Sequence, residues 1–147
     1  MSLRFPMFID LQGKPCLVVG HGTVGIRRCR VLREFGADVL VIAPDCGDIP
    51  DGVRALRREY RAGDAEGMAL VVAATSDRAV NSAVADECHR LGIMVSVADD
   101  PSACSFFFPA ICRTERLTAG LVSTDGDHAL VARAAKSIRE KMEESDS

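Results

Sequence analysis

The sequence predicts an α/β protein built on a parallel sheet, and three observations carry that expectation. Short, near-continuous apolar runs recur at Leu17–Val19, Asp38–Ala43, Leu70–Ala74 and Ile93–Ala98. Stretches with helical periodicity separate them, and glycine or proline marks the joints. A parallel strand is buried on both faces, so it reads as an apolar run and not as an alternation. Helices placed between such strands supply the crossovers that parallel pairing requires.

The elements follow in order. Leu17-Val18-Val19, between Pro15-Cys16 and Gly20, is the first buried strand. A helix is expected from Thr23 to Phe35, with Val24, Cys29, Leu32 and Phe35 sharing a face and Arg27, Arg28, Arg30 and Arg33 covering it. Gly36 is suited to end it in the left-handed conformation. Asp38–Ala43 is the second strand, stopped by Pro44, and Asp45–Gly52 reads as a loop. Val53–Tyr60, with Arg54, Arg57 and Arg58, is a weaker strand suited to a sheet edge. Leu70–Ala74 is buried strand again. A helix over Arg78–Arg90 follows, with Val80, Val84 and Cys88 in register and Gly92 beyond it.

The last third changes character. Phe106-Phe107-Phe108-Pro109 is an apolar cluster, Leu117–Ser123 reads as a strand, and Asp127 to Glu143 reads as an amphipathic helix on Leu130, Ala134, Ile138 and Met142. One strand and one helix do not make a free-standing domain. The expected organisation is therefore a nucleotide-binding domain over 1–111 and a strand–helix arm over 112–147 for packing on the sheet or for dimerisation.

Bulk properties narrow the function. A net charge of −3, with no Trp and one Tyr, argues against a nucleic-acid binder, which needs a basic excess or stacking platforms. No apolar run has membrane-spanning length, and the N-terminus lacks the apolar core of a signal peptide. The six cysteines form no C-x-x-C pair, which points to reduced thiols, a cytoplasmic setting and no metal site. A zinc site from Cys104, Cys112 and a distant histidine would lack the usual close ligand pairs.

Gly20-His21-Gly22-Thr23-Val24-Gly25 is a complete G-x-G-x-x-G between the first strand and the first helix. In that context the motif indicates a Rossmann-type dinucleotide site. Gly20 permits the tight turn, Gly22 lets the backbone approach a pyrophosphate, and Gly25 allows close helix–strand packing. Thr23 and Val24 line the loop, and the helix N-terminus offers N–H groups to phosphate. The alternative is a glycine-rich turn that binds nothing. Asp45 is the nearest acid to the end of the second strand for the ribose hydroxyls, and no arginine follows that strand directly, which favours NAD over NADP. Thr75 lies at the ligand-binding edge after the fourth strand, whereas Asp77 suits a helix cap. Asp99-Asp100-Pro101 follows the fifth strand. A carboxylate there can accept a substrate proton, but Asp before Pro is also a common turn, and spacing alone favours the turn.

Taken together, the residues resemble the precorrin-2 dehydrogenase family, the N-terminal domain of sirohaem synthase. Phe5–Leu11 resembles its opening strand, Val18–Val24 with Arg27-Arg28 its nucleotide loop, and Ala73–Asp77 with Asn81 a further signature. Val97-Ala98-Asp99-Asp100-Pro101 running into Cys104–Ala110 is the most specific match. The resemblance implies NAD-dependent oxidation of precorrin-2 to sirohydrochlorin, with Asp99 as general base, by a homodimer whose C-terminal segments cross. On this reading Arg113, Arg116, Arg133 and Lys136 meet the carboxylates of the tetrapyrrole substrate; ordinary solvated surface is the other reading of them.

Two departures stand out. Ser123–Ala129 carries Asp125 and Asp127 where relatives have a Gly-Ser-rich stretch, which adds negative charge near an anionic substrate. His128 beside them suits a helix start. Many relatives also continue into a small helical domain beyond the point where this sequence stops, an expectation of NAD binding with slow turnover if that domain closes the site. Those departures leave two rivals standing: a non-catalytic NAD-responsive module and a sirohydrochlorin ferrochelatase.

Overall fold

The computed structural model describes residues 2–147. The chain divides into two compact units, Ile9–Phe106 and a second that joins the segment through Phe8 to Phe107–Ser147. The division falls a few residues before the 111/112 boundary expected from sequence, and it draws the N-terminal segment into the second unit.

In the first unit, β1 (Pro15–Val19), β2 (Asp38–Ile42), β3 (Arg54–Leu56), β4 (Leu70–Ala73) and β5 (Met94–Val97) form one parallel sheet in the order β3-β2-β1-β4-β5. This is the strand order of a Rossmann half, and its direction of winding reverses between β1 and β4. The register pairs Val19 with Ile42 on one side and with Ala73 on the other. The carboxyl ends of the three central strands are therefore level. β3 lies at the edge, as its arginines require: Arg54 ion-pairs with Asp38 at 3.2 Å across to β2.

Helix α1 (Thr23–Glu34) ends at Phe35, with Gly36 at φ +83°. Helix α2 (Arg78–Leu91) starts at an Asp77 cap, whose carboxylate accepts from Ala79 N–H at 2.9 Å, and ends at Gly92 in the left-handed region. The central core cluster is apolar: Leu17, Val19, Ile42, Val71, Val84, Val95 and Cys88 pack together. The cysteines serve as small apolar groups here. Burial pushes the thiols of Cys16 and Cys88 up to about 11 and that of Cys29 up to about 12.

One buried carboxylate interrupts this pattern. Glu87 on α2 accepts from the Tyr60 hydroxyl, from Gly63 N–H at 2.8 Å and from Ala65 N–H at 3.2 Å, fastening the 60–65 loop to the helix. Burial alone would raise its pKa. The Tyr60 hydroxyl and the two amides outweigh burial and hold it below the usual glutamate value of 4.5. The folded-state pKa is thus the lower one, so the stabilisation is complete above that value and is lost as the pH falls through the folded pKa. Glu87→Gln sets an amide NH2 against N–H donors and is expected to cost about 1–3 kcal/mol at neutral pH. Chemical unfolding followed against pH checks this, and the variant's stability should fall less steeply below that pH than the wild type's.

In the second unit, β6 (Ala110–Arg113) and β7 (Thr118–Leu121) form an antiparallel hairpin, followed by α3 (His128–Asp146). The sequence predicts only the strand at Leu117–Ser123 here. The other half of the hairpin has only four residues and no clean alternation, so it carried no periodic signal. Ala135 of α3 is buried and its carbonyl accepts from the Cys112 thiol at 3.6 Å. The expected opening strand at Phe5–Leu11 is not formed: residues 2–11 have no ladder, and Phe5, Met7 and Phe8 are 89%, 65% and 75% exposed. A strand exists only where another backbone pairs with it, and no described strand does. Arg4 stacks its guanidinium 3.8 Å from the Phe107 ring centroid, which ties this segment to the second unit. No helix among the described residues is long and apolar enough to cross a membrane.

Candidate dinucleotide and proton-transfer site

The site is built where the sheet reverses its winding. Gly20 follows β1 at φ +107°, and a Cβ there would lie 2.4 Å from the Ala74 carbonyl oxygen just beyond β4. Gly25, the third residue of α1, sits so close to the turn that its Cβ would lie 2.5 Å from the Gly20 carbonyl oxygen. Gly22 differs from both. It is the N-cap of α1, no side chain caps the helix there, and a Cβ would meet nothing within 4 Å. Two glycines are thus demanded by packing, while the third faces open space at an uncapped helix N-terminus. That is the arrangement a pyrophosphate requires, so the residues present fit a dinucleotide. Exposed Thr23 and half-buried Val24 form the first turn of the helix.

His21 has a role that the sequence reading did not assign. Its Nδ1 accepts from Gly47 N–H at 3.2 Å and its Nε2 lies 3.0 Å from the Asp48 carbonyl. Nε2 therefore carries the proton. The imidazole fastens the loop after β2, which carries exposed Asp45 three residues beyond the strand, to the glycine loop. Arg57 donates to the Cys46 carbonyl from the other side. His21→Ala removes both imidazole bonds. The loosened loop is expected to weaken NAD binding by about 1 kcal/mol, roughly fivefold in Kd, as titration calorimetry would measure.

Across the switch point, Ala74 N–H bonds to Val19 O at 2.8 Å and Ala98 N–H to Ala73 O at 2.9 Å, so the backbone ladder carries on into both loops. Thr75 and Asp99 thereby emerge side by side at the carboxyl edge. Asn81, 1% exposed, lies beneath both. Its Oδ1 accepts from Thr75 N–H at 3.1 Å and from the Thr75 hydroxyl at 2.7 Å. Its Nδ2 donates to Thr75 O at 3.1 Å and to Asp99 Oδ1 at 3.2 Å. The other Asp99 oxygen faces the exposed Arg78 guanidinium at 3.5 Å.

The Asp99-Asp100 pair, ambiguous in the sequence, divides its work. Asp100 makes the turn: it caps the short 3-10 segment Pro101–Ala103 and accepts from Ser102 N–H at 3.1 Å and from the Ser102 hydroxyl at 2.5 Å. The Ser102 hydroxyl is the main cause that lowers the Asp100 pKa. Asp99 takes no part in that turn, and a third of its side chain is open to solvent.

In the second unit, Arg113 ends β6, Arg116 pairs with Asp146 at 3.5 Å, and Arg133 and Lys136 are exposed on α3. Asp125 accepts from Asp127 N–H at 3.1 Å, and Asp127 caps α3 by accepting from Leu130 N–H at 2.9 Å. Both acids thus have local structural work, and His128 opens the helix.

Residues 7–110 match a family model described as putative NAD(P)-binding. The chain belongs to that NAD(P)-binding family. Proteins similar to it carry names from siroheme synthesis, and a solved structure similar to it is a precorrin-2 dehydrogenase. It is 43% identical over 143 residues to a probable multifunctional siroheme biosynthesis protein HemA of Ruminiclostridium josui, covering 92% of this chain and 28% of that protein. It is 36% identical over 141 residues to the siroheme synthase of Saccharophagus degradans, covering 92% and 31%. Among solved structures it is similar to SirC, a precorrin-2 dehydrogenase, with a TM-score of 0.71 and 28% identity over 97% of this chain and 71% of that one. The chain spans less than a third of the length of these two curated relatives.

Proposed function

We propose that this chain oxidises precorrin-2 to sirohydrochlorin in sirohaem biosynthesis, with NAD as the acceptor. The observation that carries the reading is the placement of the Asp99 carboxylate, partly open and hydrogen-bonded, at the same sheet edge as the glycine loop. NAD bound along that loop supplies the hydride acceptor.

In this reading Gly20, Gly22, Thr23, Val24 and Gly25 hold the pyrophosphate, Asp45 takes the ribose hydroxyls, and Thr75 borders the nicotinamide half. Asp99 takes the proton released as the hydride leaves the macrocycle. Each turnover thus removes two hydrogens from the substrate, one as hydride and one as a proton. Arg113, Arg116, Arg133 and Lys136 are assigned to the substrate carboxylates, with the Arg116 guanidinium already engaged by Asp146. A homodimer formed through the second unit and a cytoplasmic setting belong to the same proposal; sedimentation velocity at micromolar protein tests the dimer.

Asp125 and Asp127 each hold a backbone N–H, a structural role for the acidic stretch that partly motivated a non-catalytic module. The experiment is an anaerobic incubation of the protein with precorrin-2, with and without NAD and ferrous iron. NAD-dependent appearance of sirohydrochlorin supports the dehydrogenase. Iron insertion into sirohydrochlorin without NAD-dependent oxidation would replace it by a ferrochelatase.

A further inference from the structure

The structure assigns to Asn81 the role of a positioning residue that fixes the Asp99 carboxylate and ties it to the Thr75 loop beside the nucleotide site. This inference rests on the dehydrogenase reading for its consequence and on geometry alone for the contact.

An amide has two lone pairs on oxygen and two N–H donors, and Asn81 uses all four, three with Thr75 and one with Asp99. The network also determines which way the amide points. Thr75 N–H can only donate, so Oδ1 must face it, and Nδ2 is then the atom left for Asp99. A flipped amide would set NH2 against N–H and a carbonyl against a carboxylate. The arrangement is thus specified at both ends, within a side chain 1% exposed.

Helix physics supports a dedicated role. Asparagine is a poor helix former, yet it sits in the first turn of α2 as a fully buried polar group. From there the side chain leans back toward the helix N-terminus, which is where the ends of β4 and β5 lie. The rival tie on Asp99 is Arg78, 83% exposed, and an exposed ion pair holds geometry weakly. Asn81 is therefore the rigid partner. Any shift of Thr75 on nucleotide binding passes through three hydrogen bonds to the group that holds Asp99.

Asn81→Asp separates the two ends of this network. The new carboxylate still accepts both Thr75 donors, but the oxygen that replaces Nδ2 faces the Thr75 carbonyl and Asp99 Oδ1, and against Asp99 like charges repel. Combining it with Asp99→Asn restores a donor–acceptor pair in reversed sense. At neutral pH we expect Asn81→Asp to lower Tm by roughly 8 °C and the double variant to recover the share of that loss due to Asp99, while the share due to the Thr75 carbonyl remains. Precorrin-2 turnover by Asn81→Asp should fall about 100-fold, the scale of a misplaced catalytic group, with KM for NAD within about threefold of wild type.

A Tm deficit that Asp99→Asn does not relieve would overturn the contact. Wild-type kcat in Asn81→Asp would overturn the positioning role. If the wild type itself fails to oxidise precorrin-2, the dehydrogenase reading falls, and the Tm pair still decides whether Asn81 orients Asp99.

Discussion

Replacing Asp99 by asparagine is expected to lower precorrin-2 oxidation by about 10²–10⁴-fold, the usual worth of a positioned proton acceptor. NAD affinity and Tm should stay near wild type. The physical ground is that the substitution is nearly isosteric and keeps the hydrogen bond from Asn81 Nδ2, because the asparagine oxygen can accept it in place of Asp99 Oδ1. What disappears is a carboxylate able to take a proton, together with an exposed ion pair to Arg78 that contributes little to stability. A variant that binds NAD normally yet does not turn over locates the loss in the chemical step. Turnover within about threefold of wild type would remove Asp99 from the reaction.

The second large effect is expected at Gly20. An alanine there must adopt φ +107° and place its Cβ 2.4 Å from the Ala74 carbonyl, a backbone atom of the neighbouring loop. Strained backbone of this kind costs about 1–3 kcal/mol, and overpacking adds about 1–3 kcal/mol more. Gly20→Ala should therefore lose about 3 kcal/mol or more of stability, a Tm drop on the order of 10 °C, and with it NAD binding. Gly22→Ala makes the informative contrast. Its Cβ meets nothing within 4 Å, so its Tm should stay within about 2 °C of wild type. NAD affinity should nevertheless drop about tenfold, because the added methyl stands where a phosphate must approach. Thermal melts and NAD titrations on the two variants separate a glycine needed by the fold from one needed by the ligand. Equal stability losses in both would contradict that assignment.

Much of this architecture was legible because parallel strands and crossover helices write strong local patterns. The runs around Val18, Val41 and Val72 can be buried only in a sheet covered on both faces, and Gly36 and Gly92 mark helix ends by their conformation. The short hairpin strand at Ala110–Arg113 was not legible, since its partner lies across a turn and four residues carry no period. The segment Phe5–Leu11 differs for a related reason: its resemblance to the family's opening strand implies a strand, but strand formation depends on a neighbour that no described part of the chain supplies.

The site was readable in part. The glycine loop announces itself by spacing. Spacing alone does not tell Asp99 from Asp100, because either can start the turn at Pro101; the family resemblance points to Asp99, and the hydrogen bonds show that Asp100 makes the turn while Asp99 meets Asn81. His21 occupies an unrestricted position of the motif, and its role depends on a loop 26 residues away. Asn81 could be singled out by resemblance, but its function comes from three chain segments that fold together.

The most direct test of the proposed dehydrogenase is the stoichiometry of an anaerobic reaction between the protein, precorrin-2 and NAD, with NADH and sirohydrochlorin followed together by absorbance. Both should appear at equal rates and in equal amounts, and neither should form when NAD is withheld. Confirmed NAD binding with no sirohydrochlorin, at any protein concentration, would contradict it and leave a nucleotide-binding module in place of an enzyme.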